Sequence, residues 1–408
     1  MISSAQVKVF APLFLVIIID TMGLGIVFPV LSPLVLESNS TLLSTSATLI
    51  TREMLYAFII GIFSLFLLIG APLLGDLSDC IGRKKALLIC LMGTGVSFVL
   101  CTLGVWAGSI WILLLGRAFN GFAAGSGSIA QAAIADISTP QNKAVNLGFI
   151  TLANCIGFVV GPIVGGFFAD HSFFHLGYGT PFAIAAFMTF LNILCLQYFM
   201  PRDTHPKRAL QLKLSRGISI FIEAIRSKKL RYIALLFLCL QLGWSIYFQF
   251  IAILLVHQYH YTATGVGFFM AFVGLLFAFC LGVLIKFLLE LATLARLIQI
   301  AFVIIASSLF AEAFISSEIL QWVVVMPMTL SVGLSYTGIL TLFSNAVDHT
   351  LQGWIMGVSA AVAAAAWMLG AGLAGLFSQC GIAAPFILAS SIMSLGFLIC
   401  FHPSLKKL

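Results

Sequence analysis

The sequence predicts an all-α integral membrane protein, with twelve transmembrane helices in two halves of six and both termini cytoplasmic. Three observations carry this. Of the 408 residues, 61% are hydrophobic and only 8% charged, whereas a water-soluble chain carries about 25% charged residues; most of the solvent must be lipid. The apolar residues come in continuous runs of bilayer length, about 20 residues each. A single long polar stretch, residues 201–229 (PRDTHPKRALQLKLSRGISIFIEAIRSKK), divides those runs six and six. The composition sets aside a soluble enzyme, a secreted disulfide scaffold and a nucleic-acid binder.

In order, the runs are 9–36, 54–75, 86–106, 109–136, 144–169, 179–200, 230–257, 264–286, 292–312, 317–345, 351–377 and 382–402. They do not alternate every second residue, which excludes barrel strands. The first run is long and lacks a small-residue cleavage site, so it reads as a retained helix. The 36 Gly and 37 Phe suit close helix contact and hydrocarbon, respectively. The expected domains are 1–200 and 230–408, joined by the linker 201–229. Within the linker Ile218, Phe221, Ile222 and Ile225 recur at helical spacing beside Arg226 and Lys228, as in a helix lying on the inner surface.

An even number of spans returns both ends to one side. With the N-terminus inside, 18 of the 20 Lys and Arg fall on that side: Lys8, Arg83 to Lys85, Lys143, nine around the linker, Lys286, Arg296, Lys406 and Lys407. Arg52 falls outside and Arg117 within the fourth run. Basic residues collect on the cytoplasmic side, which sets the orientation. Inner loops facing anionic lipid also account for the net charge of +7 without nucleic acid. The nine cysteines sit in or beside the runs and read as small buried hydrophobes.

Three motifs stand out. After the second run comes Gly75-Asp76-Leu77-Ser78-Asp79-Cys80-Ile81-Gly82-Arg83-Lys84-Lys85, where Gly82 permits a tight turn and Asp79 can pair with Arg83. In the fourth run Arg117 is too deep to be tolerated unless it meets a polar cavity or a counter-ion, and Asn120, Ser128 and Gln131 continue its polar face. In the fifth run Gly157, Gly161, Pro162, Gly165 and Gly166 form a small-residue seam bent by proline. A fourth feature is single: Asp20 lies near the middle of the first run. Desolvation there favours a neutral carboxyl and a nearby guanidinium a charged one, so what fills the site governs the proton.

The loop at 75–85, with Cys80 where a basic residue is usual, resembles the signature loop of the major facilitator superfamily. The Pro162 string resembles the motif of its antiporter branch. Together with the segment around Asp20, Ile134-Ala135-Asp136-Ile137, and Ala346-Val347-Asp348 with Gln352, Gly353 and Gly357, the chain is similar to multidrug and tetracycline drug:proton antiporters. The second-half counterpart of the loop, Gly282 to Lys286, is degenerate. The resemblance implies a proton-coupled carrier working by alternating access, with helices one and four lining the cavity and Asp20 beside Arg117 as the coupling pair. It implies a conformational gate formed by Gly75, Asp79, Gly82, Arg83, Lys84 and Asp136, in which Asp79, Arg83 and Asp136 make an inner charge network.

The third run has no acidic residue and the ninth only Glu312, at its outer end, which argues against chelated divalent metal as substrate. One mid-membrane acid implies about one proton per cycle. Gln241, Trp244, Ser245 and Phe248 on the seventh run, with Tyr336 and Thr337 on the tenth, suit an amphiphilic organic molecule. His171, His175, His257 and His260 lack the spaced partners of a metal site. No cofactor is expected, nor an enzyme's constellation of paired carboxylates or nucleophile and base. The partners are then a small-molecule substrate, protons and membrane lipid, for a monomer in a bacterial inner membrane. The alternatives are a proton symporter importing a nutrient, metabolite or siderophore, and a non-transporting membrane sensor or scaffold.

Overall fold

Inside a bilayer only a helix satisfies every backbone N–H and C=O within its own segment, and the computed structural model is built of helices. It describes residues 4–37, 40, 42–44, 46–136, 138, 143–169, 177–200, 222, 225–227, 230–347 and 352–402, among which there is no strand. In chain order the helices are α1 (Ser4–Leu36), α2 (Leu49–Ile81), α3 (Arg83–Trp106), α4 (Ile110–Ala123), α5 (Ser126–Asp136), α6 (Lys143–Ala169), α7 (Thr180–Phe199), α8 (Arg231–Tyr259), α9 (Ala263–Phe279), α10 (Ile285–Leu291), α11 (Leu294–Glu312), α12 (Glu318–Asn345), α13 (Gln352–Phe377) and α14 (Ala384–Ile399).

Among the described residues, ten of the helical spans are long and apolar enough to cross a membrane. The remaining two predicted runs differ for local reasons. The fourth is not one helix over 109–136: it breaks at Ala124 and Gly125 into α4 and α5. The last helical run, α14, has 16 residues and starts with proline in its first turn. The second helix runs five residues before and six after its predicted bounds, because the polar ends of 49–81 continue the helical hydrogen bonding. Between α9 and α10 the chain widens into a π-helical turn at Cys280–Leu284, and this is where the degenerate counterpart of the signature loop falls.

The chain divides into two compact units. One comprises Met1–Thr45, Leu65–Arg216 and Thr262–Ala271; the other comprises Ser46–Ser64, Gly217–Tyr261 and Phe272–Leu408. In the first, α1 lies along α6, and α3 packs on α4 and α7. Leu13, Val16 and Ile17 of α1 meet Leu87 and Leu91 of α3 and Ile129 and Ile134 of α5 in its core. In the second, α8 packs on α13 and α14, and α11 on α12 and α14. Most of the linker, including Ile218 and Phe221, lies outside the described residues, as do His171, His175 and Asp348.

Candidate functional site

The break in the fourth run builds the site. Four small residues in sequence, Gly125-Ser126-Gly127-Ser128, interrupt an otherwise apolar helix. Gly125 lets α2 approach closely: a Cβ there would sit 3.2 Å from the Ala71 Cα and 3.1 Å from the Leu74 Cβ. The chain then restarts as α5, and a fresh helix N-terminus appears within the membrane-spanning region. Asp20 of α1 meets it. Ser126 Oγ donates to Asp20 Oδ1 at 2.8 Å and to Oδ2 at 2.7 Å, and the Gly127 amide donates to the same carboxylate. Helix N-termini favour anions because their first N–H groups are unpaired and the backbone dipoles align.

The sequence reading set Arg117 beside Asp20 as a coupling pair. Arg117 is 2% exposed and lies beside Cys101 of α3, while both oxygens of Asp20 face α5. Asn120 is 6% exposed and its Nδ2 donates to Ser97 Oγ at 2.8 Å, so it ties α4 to α3. Ser128 is exposed and caps the turn, donating to the Gly125 carbonyl at 2.8 Å; Gln131 is exposed.

The other end of α5 reaches the signature loop. Gly82, between α2 and α3, has φ 98°, a conformation open to glycine at little strain. That turn sets Arg83 one helical turn from Asp79, with Nη1 to Oδ1 at 2.6 Å. The same Nη1 donates to Ser78 Oγ at 2.9 Å, and Nε donates to Asp136 Oδ2, the last residue of α5, at 3.0 Å. Lys84 Nζ caps the end of α7, donating to the Gln197 carbonyl at 2.8 Å and to that of Met200. Gly75 is half-buried, and a Cβ there would meet nothing within 4 Å. Asp79, Arg83 and Asp136 therefore come together as the spacing and the resemblance suggested.

The Pro162 string is the bed on which the Asp20 segment lies. A Cβ at Gly157 would fall 1.8 Å from Thr21 Oγ1 and 2.6 Å from the Ile18 carbonyl, and one at Gly161 would fall 2.6 Å from the Met22 carbonyl. At Gly165 it would meet the Ile26 carbonyl at 2.9 Å, and Pro162 itself packs against Gly25. Gly166 faces the other way, toward the start of α9, where a Cβ would stand 2.5 Å from the Ala263 carbonyl; Thr264 Oγ1 donates to the Gly166 carbonyl at 3.2 Å.

In the second unit the aromatic wall is present. Trp244 stacks on Tyr247 at 5.5 Å and tilts on Phe248 at 5.5 Å, and Phe248 meets Trp367 of α13 edge-on at 6.0 Å. Tyr336 sits between Phe237 and Phe277, and Thr337 is half-buried beside it, its hydroxyl donating to the Gly333 carbonyl at 3.1 Å. Gln241 is 7% exposed. Ser245 is fully buried and donates to the Leu242 and Ala366 carbonyls against Gly370. Sequence reasoning missed Ser126, for which the Gly-Ser-Gly-Ser run was the available signal. It also missed the burial of Glu53 and Glu312, 5% and 1% exposed. Among the described residues no group of three His, Cys, Asp or Glu is placed to hold a metal.

Comparison with known proteins identifies the family and the fold. A family model described as Major Facilitator Superfamily matches residues 13–371. The tetracycline resistance protein, class H, of Pasteurella multocida is 27% identical over 275 residues, 65% of this chain; the match spans 63% of that protein's length. The crystal structure of the human organic anion transporter MFSD10 (TETRAN) has a similar fold, with a TM-score of 0.72 at 19% identity over 98% of this chain and all of that one. A crystal structure of a D-xylose-proton symporter gives 0.73 at 16% identity, covering 97% and 98% of the two chains.

Proposed function

This chain belongs to the Major Facilitator Superfamily, and from that premise we propose that it is a proton-coupled secondary transporter exporting an amphiphilic small molecule by alternating access. The observation that carries the reading is the double attachment of α5. Its first residue holds the Asp20 carboxylate, and its last, Asp136, is held by Arg83. An 11-residue helix is about 16 Å long, so it links a titratable carboxyl within the membrane to the signature loop at its end. Protonating Asp20 removes the charge that the α5 N-terminus stabilises. The balance of holding α5 at its two ends then changes, and with it the gate of Asp79, Arg83 and Asp136.

The cycle follows. Substrate enters an inward-facing cavity while Asp20 is charged. Protonation from outside weakens the polar contacts of the site and releases substrate outward, and the protonated carrier returns to shed its proton inside. The aromatic residues Trp244, Phe248 and Tyr336, with Gln241 and Thr337, supply apolar walls and a few hydrogen bonds for the substrate. The scarcity of acidic groups points to an organic molecule without a chelated metal. Twelve spans, cytoplasmic ends, a monomeric carrier and a bacterial inner membrane complete the proposal, supported by the basic-residue pattern and the bacterial relative.

The test is Asp20→Asn in proteoliposomes with an imposed pH gradient. Transport by the variant is expected to lose its dependence on pH, and undiminished proton-driven transport would refute the role of Asp20. Proton movement on adding substrate to inverted vesicles distinguishes export by exchange from symport.

A further inference from the structure

A second buried carboxyl has no role in that cycle. Glu312, the last residue of α11, is 1% exposed, and neither Oε1 nor Oε2 has a hydrogen-bond partner. The side-chain amide of Gln321 on α12, 0% exposed, also lacks a partner at both its nitrogen and its oxygen, and it faces both the Glu312 carboxyl and Tyr259. The hydroxyl of Tyr247 on α8, buried and unpartnered too, lies within electrostatic reach of the same carboxyl. Helices α11 and α12 thus bring unsatisfied polar atoms of Glu312 and Gln321 face to face, with the Tyr247 hydroxyl of α8 in their electrostatic neighbourhood.

Among the described residues of these helices, no Lys or Arg lies beside this cluster. From α8 come Tyr247 and Tyr259, with the Tyr259 hydroxyl donating to the Ile315 carbonyl at 3.4 Å, and His257 two residues earlier. From α12 comes Glu318, a second acid, engaged by the Tyr261 hydroxyl. Helix α14, packed on α11, contains no titratable side chain over Ala384–Ile399. The cation on α11 itself, Arg296, is sixteen residues away at the opposite end, and Lys286 and Glu290 of α10 lie beyond that same end. An ionised carboxylate held without a partner in buried surroundings is strongly disfavoured. A carboxylic acid offers one O–H donor and one C=O acceptor, which complement the free oxygen and nitrogen of the Gln321 amide.

We propose that Glu312 is a second proton-binding site, located between α8, α11 and α12 and distinct from Asp20. The bound ligand is a proton, held as the neutral acid against Gln321 and Tyr247. The site stands on this geometry alone; only its consequence for transport, one further proton moved per cycle, rests on the proposed proton coupling.

The experiment is infrared difference spectroscopy of the full chain in lipid nanodiscs across a pH titration, with and without 13C-glutamate labelling. The wild type is expected to give a carboxylic-acid C=O band that moves with the glutamate label, vanishes in Glu312→Gln and persists in Asp20→Asn. Should Glu312→Gln not fold, Gln321→Leu keeps the carboxyl and removes its amide partner, and the band is expected to shift. No label-sensitive acid band, or one unaffected by both variants, would overturn the proposal. So would a band abolished by replacing choline with sodium at fixed pH, which would assign the site to a metal cation. Loss of pH-dependent transport in Asp20→Asn tests the cycle separately, whichever way the Glu312 band behaves.

Discussion

Alanine at position 157 tests whether α1 is seated on α6 by the face that carries Asp20. The new methyl would lie 1.8 Å from Thr21 Oγ1 and 2.6 Å from the Ile18 carbonyl oxygen, whereas ordinary contact begins at 3.4 Å. The first obstacle is a side chain and the second is backbone. Overpacking of this kind costs about 1–3 kcal/mol. Thr21→Ala removes the hydroxyl, which donates to the Ile17 carbonyl at 2.8 Å, and alone should cost about 1 kcal/mol. In the double variant the first obstacle is gone and the second remains, so the two changes should couple favourably by about 1 kcal/mol. At Gly161 the nearest atoms are the Met22 carbonyl at 2.6 Å and two α-carbons at 3.0 Å, all backbone. Gly161→Ala should therefore be at least as destabilising, and Thr21→Ala should not relieve it. Thermal unfolding in detergent, followed by tryptophan fluorescence, reads the wild type, the three single variants and the two double variants. Equal stability of Gly157→Ala and the wild type, with no coupling to Thr21→Ala, would refute the seating of α1 on α6.

Further outcomes follow from the two ends of α5. Ser126→Ala removes a hydroxyl that serves both oxygens of Asp20, a bond to a charged group worth about 1.5–3 kcal/mol; proteoliposome transport should fall about tenfold or more, and Ser126→Thr should retain most of it. Arg83→Ala breaks two partly exposed ion pairs worth about 0.2–1 kcal/mol each, so the unfolding temperature should barely move while transport collapses; Arg83→Lys should recover little, because an ammonium cannot engage Asp79 and Asp136 as a planar fork. Gly82→Ala places a side chain at φ 98° and should cost about 1–3 kcal/mol, visible in the same unfolding assay.

The helices were legible because lipid leaves few alternatives: a run of apolar residues must wind, and the Lys and Arg pattern orders the runs. The Asp79–Arg83 pair was legible from its spacing of four. Asp136, fifty-three residues beyond Arg83, came from family resemblance and not from any local signal. The partner of Asp20 was hidden for a physical reason: it depends on the break at 124–125, and averaged hydropathy passes over four small residues without registering a new helix start. Glu312 misled in a different way. The end of an apolar run suggests water, yet Gln321, Tyr247 and Tyr259 from two neighbouring helices enclose it. Such closure is a tertiary fact that one helix's sequence does not contain.

Stopping one helix and starting another part-way through a span leaves main-chain amides and carbonyls that hydrocarbon has no means to solvate. Acyl chains must be kept from the join by protein or by water. Gly70 is where α2 does this, pressed so close that a Cβ would come 2.2 Å from the Phe122 carbonyl oxygen and 2.7 Å from its Cα. A bulky residue at 70 would act as a wedge, admitting lipid to the joint and stranding its amides. That glycine, which carries no side chain of its own, should tolerate replacement as poorly as Asp20, the acid held at the start of α5.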